Sequence, residues 1–124
     1  MGSIGLVIVS HSKHIAEGVV ELISEVAKDV PITYLGGTED GGIGTSFDQV
    51  DRVVSENPAD TLLAFFDLGS AKMNLEMVAD FSDKSIMINR VPIVEGAYTA
   101  AALLQAGAEL SVIQTQLSEL EINK

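Results

Sequence analysis

The sequence contains no cysteine, which removes disulfides, zinc–thiolate sites and a cysteine nucleophile from consideration. It is also short of positive charge: 7 Lys and Arg stand against 18 Asp and Glu, a net charge of −11. A chain of that sign is a poor partner for nucleic acid or an anionic membrane surface, and it suits a basic protein partner instead. Long apolar runs are missing as well, since none approaches the ~20 residues that a membrane helix needs. The N-terminus, Met1-Gly2-Ser3-Ile4-Gly5, passes into the short stretch Leu6 to Val9 without a basic region or cleavage site, so it does not read as a signal peptide. Leu6 stands where a myristoylation signal requires Ser or Thr. Internal repeats, low-complexity tracts and linkers are not evident. The expectation is a soluble, cytoplasmic protein with neither a membrane nor a nucleic acid as partner.

What is present is apolar material in short, regularly spaced pieces. With 124 residues and 47% hydrophobic content, residues 1–124 read as a single domain with one core. Four runs bounded by polar or turn-forming residues read as strands: Gly5 to Val9, Ile32 to Leu35, Thr61 to Phe66 and Ser85 to Ile88. Their spacing is too wide for hairpins, and the intervening segments have helical periodicity. Ile15, Val19, Leu22, Ile23 and Val26 form one stripe of a helix expected over Lys13 to Lys28. Ser46 with Gln49 suggests a capping box opening a second helix, which buries Phe47, Val50, Val53 and Val54 and stops at Asn57-Pro58. A third is expected from about Ala71 to Phe81, and a fourth from Val94 to Ala106, between Pro92 and a C-capping Gly107. Val112, Ile113, Gln116, Leu117 and Leu120 predict a last helix, although Val112-Ile113 alone is compatible with a strand.

Strands alternating with helices imply an α/β three-layer sandwich with helices on both faces of a mainly parallel, four-stranded, doubly wound sheet, order 2-1-3-4. In such a sheet ligands bind at the carboxyl ends of the strands. The residues expected there are Ser10 to Ser12, the glycine-rich connection Gly36 to Thr45, Asp67 to Ser70 and Asn89 to Pro92.

His11 follows the first strand. An imidazole, whose ordinary pKa is about 6.5, is a competent nucleophile near neutral pH; by position alone, a half-buried loop histidine without function reads equally well. His14 reads as a surface residue. Asp67 ends the third strand, a usual neighbour of the first, where a carboxylate accepting from Nδ1–H leaves Nε2 as the attacking atom. Asp67 as the start of a turn is compatible with the same position. Gly44, Thr45 and Ser46, and Gly69 and Ser70, stand before expected helices, where free N–H groups and the helix dipole suit a phosphate. N-capping by Thr45 or Ser46 and by Ser70 is the commoner explanation of each taken singly.

Other chemistries fit less well. Ser10 or Ser12 beside His11 suggests hydrolytic machinery, but neighbours on an extended chain point apart and no Gly-x-Ser-x-Gly elbow is present. The glycine-rich loop lacks the Walker lysine and the Gly-x-Gly-x-x-Gly spacing. A metal site from His11, His14 and Glu17 is disfavoured because His11 precedes the helix. No metal and no tightly bound cofactor is expected.

Val9-Ser10-His11-Ser12, Glu17-Gly18, Gly36-Gly37-Thr38 with Gly44-Thr45-Ser46, Asp67-Leu68-Gly69-Ser70-Ala71 and Pro92-Ile93-Val94-Glu95-Gly96-Ala97 together resemble the phosphotransferase (DhaM-type) subunit of phosphotransferase-system (PTS) dihydroxyacetone kinases, over nearly the whole chain. That domain is similar in turn to the IIA (EIIA) domain of mannose-type sugar transporters, in which the segment after the aspartate usually differs from Gly-Ser-Ala. The resemblance implies a phosphotransferase subunit with a relay: the carrier HPr donates to His11, oriented by Asp67, and His11 donates to ADP held on the nucleotide-binding (DhaL-type) kinase subunit. ATP regenerated there phosphorylates dihydroxyacetone on a third subunit. It also implies a homodimer and a four-stranded parallel sheet. Some relatives carry HPr-like and enzyme I-like domains, for which this chain ends too early. Asn89-Arg90-Val91 departs from the more alanine-rich segment expected. The alternatives are the EIIA domain of a mannose-type transporter and a non-catalytic regulatory module of the same fold.

Overall fold

The four apolar runs form strands β1 (Ile4–Ser10), β2 (Ile32–Gly36), β3 (Thr61–Phe66) and β4 (Ser85–Asn89). The periodic segments form α1 (Lys13–Ser24), α2 (Phe47–Glu56), α3 (Gly69–Phe81), α4 (Ile93–Gln105) and α5 (Leu110–Ser118). The computed structural model describes residues 3–124, so Met1 and Gly2 of the N-terminal reading lie outside the described residues.

The strands make one sheet in the order β2-β1-β3-β4, and every pairing is parallel. Because side chains alternate along a strand, each central strand feeds two cores. Leu6 and Ile8 of β1 with Leu63 and Phe65 of β3 pack under α1, α4 and α5, against Ile23, Ala97, Ala101, Ile113 and Leu117. Val7 and Val9 with Leu62, Ala64 and Phe66 face α2 and α3, against Val50, Val54, Leu75 and Val78. Burial on both faces explains why β1 and β3 read as unbroken apolar runs. Each fully buried large side chain contributes about 1.5–3 kcal/mol.

Two helix boundaries differ from the sequence expectation by two residues or more, each for a local reason. Helix α1 ends at Ser24 rather than Lys28: Glu25 and Val26 N–H turn to the carbonyls of Leu22 and Ile23, three residues back. The chain then tightens so that buried Ala27 and the Val30-Pro31 turn can feed β2. Helix α3 starts two residues early, with extended Leu68 as its N-cap and no side-chain cap. Gly69 and Ser70 therefore lie in the first turn, and Ser70 is not a cap. Ser46, by contrast, caps α2, its Oγ accepting from Gln49 N–H at 3.3 Å and donating to Gln49 Oε1 at 3.0 Å.

The C-terminal third follows the expected pattern. Gly107, at φ 84°, closes α4: its N–H reaches Leu104 O at 3.0 Å and Ala108 N–H reaches Leu103 O at 2.9 Å, the paired bonds of a Schellman turn. The segment from Leu110 is helical rather than a strand, since Ile113 and Leu117, one turn apart, both bury in the first core. The topology reverses between β1 and β3, which places the switch-point crevice at their carboxyl ends.

Candidate functional site

Strands β1 and β3 run in register to Val9 and Phe66, so the residues that follow them emerge side by side. Asp67 sits between its neighbours and is held by four donors, two on each oxygen. Oδ1 faces His11 Nδ1 at 2.9 Å and accepts from Leu68 N–H at 2.7 Å. Oδ2 accepts from the Ser10 hydroxyl at 2.7 Å and from His11 N–H at 3.0 Å. Burial pushes this carboxyl's pKa up, but the hydrogen bonds from Ser10, His11 and Leu68 outweigh it and hold Asp67 below its ordinary 3.8. An ionised carboxylate only accepts, so Nδ1 carries a proton, and in the neutral imidazole Nε2 presents the lone pair. The Ser70 hydroxyl, in the first turn of α3, meets Nε2 and donates to it. The side chains of His11 and Asp67 are only 14% and 13% exposed, so the pair is largely enclosed by its surroundings.

The residues around this pair fix the backbone that carries it. Ser10 is fully buried; its Oγ accepts from Ser12 N–H at 3.0 Å while donating to Asp67. Ser12 in turn caps α1, accepting from Ile15 N–H at 3.4 Å. The glycine-rich loop is stitched to the same strand end, with Gly37 N–H on Ser10 O at 3.2 Å and Gly44 N–H on His11 O at 2.9 Å. Thr45 Oγ1 accepts from Asn74 Nδ2 at 2.8 Å, which ties the end of that loop to α3. Gly36 is the close-approach glycine: a Cβ there would lie 2.6 Å from both Lys13 Cα and Ser12 O.

The structure thus brings His11, Asp67 and Ser70 into contact and places Gly69 beside Ser70, at a helix start whose first N–H groups have no intrahelical acceptor. Gly44 and Ser46 are placed differently. The Gly44 N–H is taken by His11 O, and the Ser46 hydroxyl is taken by its cap. Thr45 is engaged through its acceptor side by Asn74. In the sequence Ser10 stands out only as a hydrolytic neighbour of His11, and nothing marks Asn74. Ser10 and His11 do point apart, yet each reaches a different oxygen of one carboxylate. A polar residue closing an otherwise apolar central strand was the available signal for Ser10. His14 and Glu17 are exposed on α1, and among the described residues no group of three or more His, Asp or Glu stands together to hold a metal. A cleft of about 490 Å³ opens near β2 between Lys13, Tyr34, Thr38 and Arg52; neither His11 nor Asp67 lines it.

A switch-point histidine with one nitrogen held by a partly buried carboxylate and the other presented at a helix start is an arrangement suited to accepting a group on an α/β domain. The family model described as PTS system fructose IIA component (EIIA-man) matches residues 5–114, and the chain belongs to this family. It is similar to the PTS-dependent dihydroxyacetone kinase phosphotransferase subunit DhaM of Lactococcus lactis, 56% identical over 120 residues that cover 97% of this chain and 98% of that protein. It is also similar to the PEP-dependent dihydroxyacetone kinase 1 phosphoryl donor subunit DhaM of Listeria innocua, 52% identical over 95% of both chains. Among solved structures, a protein of unknown function, EF1359, superposes with a TM-score of 0.84 at 28% identity, covering 98% of this chain and 97% of that one. No helix among the described residues is long and apolar enough to cross a membrane.

Proposed function

We propose that this chain is the phosphohistidine carrier of a phosphoenolpyruvate-dependent dihydroxyacetone kinase, taking a phosphoryl group on His11 Nε2 from HPr and passing it to ADP on the nucleotide-binding kinase subunit. The observation that carries the reading is the division of labour on one ring: Nδ1–H is held by ionised Asp67, which leaves Nε2 as the nucleophile. In the accepting step the Nε2 lone pair attacks phosphorus in line. The Nε2–P bond forms as the donor's N–P bond breaks, and the donor imidazole keeps that electron pair. Asp67 stabilises the positive charge that develops on the ring, and the Nδ1 proton stays in place. Ser70 gives up its hydrogen bond to Nε2 and turns its hydroxyl, with the first N–H groups of α3, to the phosphoryl oxygens. The reverse attack, by a β-phosphate oxygen of ADP, returns the ring to its starting state without a metal or cofactor held by this chain.

The similarity to the two DhaM subunits over nearly their full length supports the kinase branch of the family. His11 lies just past the carboxyl end of β1, outside the cleft near β2, which suits donors and acceptors presented by other proteins. The reading places the relay in the cytoplasm and includes a homodimer. Support for the latter is the exposed stripe Met73, Met77 and Phe81 on α3, Phe81 being 81% exposed with its ring edge-on to Phe47 of α2 at 6.4 Å.

The test is intact mass and peptide mapping after incubation with phosphoenolpyruvate, enzyme I and HPr, followed by addition of the nucleotide-binding subunit with ADP. An acid-labile phosphoryl group on His11 that disappears on that addition is the expected result, and His11→Ala should remain unlabelled while folded. A label that stays until a sugar transporter's B domain is added would move the chain to the sugar-transport branch. No label would make it a regulatory module.

A further inference from the structure

We propose that Lys124 sets the charge balance of the phosphorylated site, its ammonium offsetting the negative charge that a phosphoryl group on His11 brings beside Asp67. This rests on the phosphocarrier reading of His11. After α5 the chain turns back, with Leu120 N–H on Leu117 O at 3.0 Å, and Ile122 N–H pairs with Arg90 O, beyond β4, at 2.8 Å. That path carries the segment to the carboxyl edge of the sheet. There Lys124 Nζ donates to Phe66 O at 2.6 Å and lies 4.3 Å from the centre of the Phe66 ring. Phe66 is the last residue of β3, and the next residue is Asp67. A carbonyl and an aromatic face together hold a cation at a defined point, one peptide from the carboxylate that orients His11.

The electrostatics agree with this placement. Burial pushes the Lys124 pKa down from its ordinary 10.5, and attraction to the Asp67 carboxylate pulls it partly back, so the two charges act on each other. A phosphoryl group adds up to two negative charges next to Asp67, in a chain whose net charge is already −11. One of the three ammonium N–H groups is used on Phe66 O, and the charge serves the site whether or not another reaches the phosphoryl oxygens. Lys124 is thus a positioning and charge-balancing residue, acting on the phosphorylated state more than on the free one.

The equilibrium of phosphoryl exchange between phospho-HPr and His11 reads that difference directly, because a merely structural residue changes rates in both directions without moving the equilibrium. Lys124→Met keeps the apolar stem against Phe66 and should shift the equilibrium away from phospho-His11 by about three- to tenfold, the size of one unit-charge interaction at a partly exposed edge. Lys124→Arg should retain the wild-type value. Raising ionic strength should move the wild-type equilibrium toward that of the methionine variant, a readout that needs no folded variant. An unchanged equilibrium in Lys124→Met, or Met and Arg variants that behave alike, would overturn the proposal while His11 still takes phosphate. A wild-type chain that takes none would overturn the phosphocarrier reading itself, and this proposal with it.

Discussion

Ser10 and Asp67, 57 positions apart in the chain, are joined by a 2.7 Å hydrogen bond from a fully buried hydroxyl to a carboxylate oxygen. That bond, with the one from His11 N–H to the same oxygen, leaves Oδ1 directed at the imidazole. The orientation of the candidate nucleophile is thus set two residues deep.

Ser10→Ala removes a donor from a charged acceptor and the acceptor for Ser12 N–H. It should cost about 1–3 kcal/mol of stability, measured by urea denaturation, and raise the pKa of the Asp67 carboxyl, measured by carbon-13 NMR titration. Phosphoryl acceptance should slow without being lost, and Ser10→Thr should restore part of it. An Asp67 titration unmoved by Ser10→Ala would show that the bond has no electrostatic role.

Asp67 also predicts a pH dependence with a definite sign. Its folded-state pKa lies below the ordinary 3.8, so its contribution to stability is fully present above that value and is lost as pH falls through the lower, folded-state value. The stability difference between wild type and Asp67→Asn, followed by denaturation from pH 6 to pH 2, should therefore be constant down to about pH 4 and shrink below it. The same variant should accept phosphate about 100-fold more slowly at neutral pH, since the ring loses its fixed orientation. A stability difference independent of pH would remove Asp67 as an ionised partner.

Gly36→Ala tests the close approach behind His11. The added Cβ would lie 2.6 Å from Lys13 Cα and from Ser12 O, both backbone atoms, and 2.7 Å from Ala16 Cβ. The start of α1 must move to admit it, at a cost of about 1–3 kcal/mol read by thermal or urea denaturation. Because Ser12 and Lys13 immediately follow His11, phosphoryl acceptance should fall in the same variant. Wild-type stability with wild-type transfer would show that this helix start is free to shift.

Much of this arrangement is written locally. The unbroken runs Leu6 to Val9 and Leu62 to Phe66 suit burial on both faces of a parallel sheet covered by helices, and the spacing of Val19 and Ile23, both buried, matches the period of one such helix, whereas Ile15 and Leu22 of the expected stripe are exposed. Ser46 with Gln49 and the glycine at position 107 are caps that need only near neighbours, and both form. His11 and Asp67 stand out as candidates because each directly follows a strand of that kind. The structure departs from local expectation where a long-range demand competes with a local one. Ser70 has the composition of a cap, but α3 begins two residues before the expected start and leaves its hydroxyl on His11 Nε2. Gly44 has the composition of a phosphate loop, but its N–H is taken by His11 O.

The sequence by itself determined the strands, the helices and the layers they form, because periodicity, caps and crossover length are properties of short stretches of chain. Only the tertiary structure decided that Ser10 joins His11 on one carboxylate, that Asn74 ties the glycine-rich loop to α3, and that Lys124 reaches the end of β3. Those contacts depend on how far each strand runs before the chain turns and on where a remote segment crosses the sheet edge, and a hydrogen bond made at 2.7 Å leaves no mark in the spacing of residues 57 positions apart.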